Sequence, residues 1–100
     1  MATKGVLNGR ALGVRLGSSS NDVAAALRER GLAGDHVDKI AATAVALARE
    51  ETARLQQHLV PQNSWPGTVI CRRLANPYVS IWLLLKHVDE GWMLDAALFD

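Results

Sequence analysis

From Thr68 to Phe99 the hydrophobic positions fall into three short runs, TVICRRL, YVSIWLLLKHV and WMLDAALF, separated by two turn-like breaks. Alternation at a period of two marks strands, so this stretch predicts an antiparallel three-stranded meander. In the first strand Thr68, Ile70, Arg72 and Leu74 share one face, with Val69, Cys71 and Arg73 on the other. The second strand is apolar on both faces: Val79, Ile81, Leu83 and Leu85 on one, Tyr78, Trp82 and Leu84 on the other. Such a strand is central and covered on both sides. Ala75-Asn76-Pro77 makes the first turn, since proline fixes φ and extends the residue before it. Asp89-Glu90-Gly91 makes the second, and the third strand, 92–99, is expected to be an edge guarded by Asp95 and Asp100.

The pattern before the meander is helical. Ser19 to Gly31 reads as a short helix, with Ser19 as N-cap, Asp22 as its capping-box partner and Gly31 as the left-handed stop. Val23, Ala26, Leu27 and Arg30 form its narrow stripe, and Arg28, Glu29 and Arg30 are expected to face outward. A longer helix follows, capped by Asp35 and running to Val60 before Pro61 forbids continuation. Val37, Ile40, Ala41, Ala44, Val45, Ala48, Leu55 and Leu59 lie at helical spacing. Between Ile40 and Ala48 the run IAATAVALA has no charge on any side, which predicts burial on more than one side. In the linker PQNSWPG, Trp65 is expected to fold back as a lid on the core. Upstream, KGVLNGRALGVRLG carries glycines every fourth residue and reads as a loop leading into a short strand, 11–16. Arg10 and Arg15 on this glycine-rich backbone are candidate anion-binding residues, although no GKS or GKT follows. The expected fold is therefore α+β, a helical hairpin of one short and one long helix packed on a C-terminal three-stranded antiparallel meander, with a short N-terminal strand added.

Composition narrows the use of this fold. One hundred residues, 49% hydrophobic and 21% charged, match one globular domain spanning 1–100. The net charge of +1 gives no general affinity for polyanions, though residues 1–34 carry five cations against two acids. A single cysteine, Cys71, allows no internal disulfide and fits a reducing compartment. No apolar run approaches the ~18 residues of a membrane span, and no charged-then-apolar leader opens the chain, so the expected location is the cytoplasm.

Candidate chemical groups are few. Cys71 and His87 on neighbouring strands suggest a nucleophile pair. His87 with Asp89, or Asp35 and His36 with Asp38, can each touch a metal, but neither set supplies three ligands. No metal or cofactor is expected. The stretch DVAAALRERGLAGDHVDKI compares with the helix-turn-helix pattern, yet its second helix opens on Asp35 and Asp38, the wrong sign for a DNA backbone. The β-α-α-β-β-β order resembles the RelE-like and barnase-like small ribonuclease toxins, in order of elements alone. That resemblance implies basic sheet residues on phosphate and an acid or base assisting the ribose hydroxyl, roles that fall here to Arg72, Arg73, Lys86 and His87.

The leading expectation is a non-enzymatic protein-interaction module of inhibitor, immunity or regulatory type. One long helix cannot cover both faces of the meander, and Trp82 and Leu84, with Tyr78, Trp92 and Leu94, are expected on the uncovered one. Such a patch marks a protein partner or a homodimer. Nucleic-acid binding ranks below it.

Overall fold

The computed structural model describes residues 12–17, 19–75 and 80–99. Its elements are β1 (Val14–Arg15), α1 (Ser20–Glu29), α2 (His36–Gln57), a 3-10 turn (Gln62–Ser64), β2 (Val69–Ala75), β3 (Ser80–Val88) and β4 (Gly91–Phe99). The class is α+β as expected, with four strands in one antiparallel sheet.

Both helices end by the same hydrogen-bond arithmetic. Ser19 starts α1, its hydroxyl accepting from the Asp22 amide at 3.3 Å. At the far end Gly31, with φ 98, turns the chain, so that Leu32 N donates to Leu27 O and Gly31 N to Arg28 O. These two hydrogen bonds form the Schellman closure, completed here by the buried pair Leu27 and Leu32. Helix α2 repeats it: Val60 N donates to Leu55 O and Leu59 N to Gln56 O. There the left-handed position falls on Leu59, with φ 57, and not on a glycine. Asp35 departs from its expected role, since it has helical φ and ψ and its side chain makes no capping bond. Asp38 faces Arg28 of α1 instead, at 3.2 Å.

The strand order is β1-β4-β3-β2, so β4 is internal. The expected edge is corrected because β1 pairs along its outer side, Val14 opposite Leu94 and Arg15 opposite Met93. Leu12 N to Asp95 O at 2.7 Å and Leu16 N to Trp92 O at 2.9 Å extend that seam. Between Leu84 and Leu85 the register shifts, from Leu84 opposite Ala96 to Leu85 opposite Leu94. Asp95 is thus the extra residue of a β-bulge, and its carbonyl is the one that receives Leu12.

Both helices lie on one side. The uncharged half of α2 is wedged between α1 and the sheet, as its composition predicts, and Ile40, Ala41 and Ala44 are fully buried against Ile81, Leu83, Leu85 and Leu94. Each large apolar side chain removed from water contributes on the order of 1.5–3 kcal/mol, which makes this layer the main source of stability. Arg30 does not simply face outward: its guanidinium donates to the carbonyls of Leu12, Gly13 and Ala26, tying α1 to the entry into β1. Among the described residues no helix is long and apolar enough to cross a membrane.

Candidate functional site

Side chains of successive strand residues alternate between faces, so the register determines what the helix-free face carries. Arg15, Met93, Lys86 and Val69 lie in one row across β1, β4, β3 and β2. Leu84 stands between Ala96 and Cys71 in the next row, and Trp82 between Leu98 and Arg73 in the one after. Trp82 is 38% exposed and Val69 55% exposed, while Leu84, Met93, Ala96 and Leu98 are half-buried beside them. Among the described residues both helices sit behind the sheet and neither crosses this face. At about 4.8 Å per strand and 3.3 Å per residue, the face measures roughly 20 Å by 20 Å.

The rim is charged, with basic residues in excess. Arg15, Lys86 and Arg73 are all exposed. Arg73 Nε donates to Ser80 Oγ at 2.6 Å, which holds its side chain along the sheet beside Trp82. Arg15 pairs with Glu90 of the β3–β4 turn at 3.1 Å, both well exposed, and Asp95 is half-buried at the bulge.

Trp92 and Leu94, expected beside Trp82, lie on the opposite, covered face, 7% and 0% exposed. The reason is the turn. A three-residue Asp89-Glu90-Gly91 turn would set Trp92 opposite Val88, but the turn has two residues, and Val88 faces Gly91 while His87 faces Trp92. A one-residue slip moves every side chain to the other face. The same arithmetic brings Met93 to the open face, and past the bulge it brings Leu98, neither of which was expected there. Asp89-Glu90 carries none of the Asn-Gly or Asp-Gly signature of a two-residue turn, and the bulge at Asp95 leaves no mark in the sequence either. Tyr78 and Arg10 lie outside the described residues. Arg15 is a strand residue of β1 paired with the Glu90 carboxylate.

Behind the sheet, aromatic rings surround His87. Trp65 folds back as a lid, buried, its indole N–H donating to Val60 O at 2.9 Å. Its ring meets His87 edge-on at 5.8 Å between centroids, and Trp92 meets the same imidazole at 4.9 Å. Trp92 Nε1 donates to Thr52 Oγ1 at 3.0 Å, and that hydroxyl donates on to Ala48 O at 2.8 Å. His87 Nδ1 is buried with no hydrogen-bond partner. On the same side of the fold Glu51 is buried, and both its carboxylate oxygens accept from Arg54. That hydrogen-bonded guanidinium holds Glu51 below the usual carboxylate range against the opposing effect of burial, with the charges of Arg54 and Arg72 adding to the shift.

The candidate catalytic residues are therefore not brought together. Arg73 and Lys86 lie on the open face, whereas Arg72 and His87 belong to the helix side and His87 is enclosed. Cys71 is exposed on the open face, opposite Leu84, and cannot meet His87 through the sheet. Among the described residues no group of three or more His, Cys, Asp or Glu side chains could hold a metal ion. A cleft of about 390 Å³ lies between α2 and the start of β4, lined by Leu16, Arg49, Thr52, Gln56 and Trp92 among others, with no paired acid and base. At the start of α2 the exposed acids Asp35 and Asp38 would face a DNA backbone with the wrong charge.

No protein-family model, no curated protein and no solved structure matches this chain.

Proposed function

We propose that this chain is a protein-interaction module that binds a partner protein through the helix-free face of its sheet. The observation that carries this reading is the exposure of Trp82 on the helix-free face, with Leu98 beside it, Leu84 in the next row and Met93 in the row beyond, and with Arg15, Lys86 and Arg73 at the rim. Tryptophan is the side chain most enriched among residues that dominate binding energy, because it removes a large apolar area from water and loses little conformational freedom. Arginine at a rim selects a partner by charge and speeds encounter. The partner of this face is a different protein presenting an apolar anchor ringed by acids. An inhibitor or regulatory protein acts this way, by covering a surface and not by turning over a substrate.

A homodimer would use the same face. Two copies face to face would set an excess of basic rim residues against itself, which favours the heterologous partner. Light scattering at two concentrations separates the two: a mass that stays monomeric supports the heterologous partner, and a mass that doubles with concentration supports the dimer. In either case Trp82→Ser should abolish association and leave the fold intact. Unchanged association by the folded variant would remove the proposal.

A further inference from the structure

Among the described residues β2 is the outer strand of the sheet, with β3 beside it. His87 N donates to Thr68 O at 2.8 Å. Antiparallel ladders alternate, so from this bond onward Ile70, Arg72 and Leu74 bond to β3, while Val69, Cys71 and Arg73 turn their amides and carbonyls outward. The other edge differs. β1 has two residues, and the entry into it is tied down where the Arg30 guanidinium takes the Leu12 and Gly13 carbonyls. The long edge is also chemically one-sided. From Thr68 to Ala75 there are two arginines and no acid, and the arginines project to opposite faces, Arg73 to the open side and Arg72 to the helix side. A second copy paired along this edge would crowd four arginines into one ladder whose own strands carry no acid.

We infer that the β2 edge accepts an extended acidic segment of a partner protein as a fifth strand. Backbone bonds to Val69, Cys71 and Arg73 hold it, apolar residues lie alongside Val69, and carboxylates reach Arg72 and Arg73 from the two faces. This deepens the protein-interaction reading and rests on it, because the same partner would continue from the edge onto the field around Trp82.

The probe is a capped, labelled eight-residue peptide of paired valines and glutamates, Val-Val-Glu-Glu twice over, which puts both residue types on each face of the strand; it is added to the whole chain and followed by fluorescence anisotropy and amide exchange. Binding with slowed exchange at Val69, Cys71 and Arg73 is the expected result. Three changes should each weaken it by roughly tenfold or more: lysine in place of glutamate, N-methylation of the peptide amides that face β2, and Cys71→Pro, which removes an outward amide and leaves the β2–β3 ladder intact. The N-methylated peptide keeps the test valid if Cys71→Pro does not fold. Absence of binding, equal binding by the N-methylated peptide, or protection confined to β3 and β4 would overturn strand addition. Failure of the edge and failure of the open face are distinguishable. Loss of partner association in Trp82→Ser with no protection of the β2 amides refutes the edge alone; protection of those amides with partner association unchanged in Trp82→Ser refutes the open face.

Discussion

His87 and Trp92 face each other across the β3–β4 hairpin, their ring centroids 4.9 Å apart and their planes at 81°. This pair assigns Trp92 to the core and leaves Trp82, on the same sheet, to solvent. The two tryptophans should therefore answer truncation differently. Trp92→Ala removes a buried ring and the donor to Thr52, and should cost about 3–5 kcal/mol. Trp82→Ala should cost about 1 kcal/mol or less, as is usual for a surface side chain. Urea unfolding of both variants reads the difference; equal losses would mean that the face around Trp82 is internally covered.

Leu59 gives a second test. It occupies the left-handed position that closes α2, and its side chain is 87% exposed, so it contributes strain and little packing. Leu59→Gly should raise stability by about 1 kcal/mol, the cost of a side chain in that conformation. A fall in the unfolding midpoint would show that Leu59 makes contacts that outweigh the strain.

The Glu51–Arg54 pair predicts an acid dependence. The folded-state value of Glu51 lies below its usual 4.5, so the carboxylate contributes stability that is fully present above that usual value and is lost as pH falls through the lowered one. Glu51→Gln should be less stable than the parent at neutral pH, and the gap should close in acid. Chemical denaturation across the acid range measures it, and a gap that widens on acidification would contradict the assignment.

Much of this fold is legible in the residues. The caps at Ser19 and Gly31 and the alternation of β3 are local chemistry, and each appears where the pattern puts it, whereas α2 ends at Gln57, short of Val60 and Pro61, because Leu59 takes the left-handed position that closes it. The sandwiched position of α2 follows from an uncharged run no single contact could cover. What was not legible depended on counting. Asp89-Glu90-Gly91 suits a three-residue turn by composition, and the two-residue turn that forms sends Trp92 and Leu94 to the core side. The bulge at Asp95 then shifts the parity once more and brings Leu98 to the open face. The internal position of β4 is a property of strand order, because only its pairing with β1 takes it off the edge. Of the expected patch, Trp82 and Leu84 keep their place, and Trp92 and Leu94 give way to Met93 and Leu98 through that turn and that bulge.

The most direct test of the open face compares wild type with Trp82→Ser as immobilised baits, scoring retained proteins by quantity after confirming that both unfold at the same denaturant concentration. The account predicts a protein held by the wild-type chain and reduced roughly tenfold or more by the serine variant. Equal retention by two equally stable baits would contradict it.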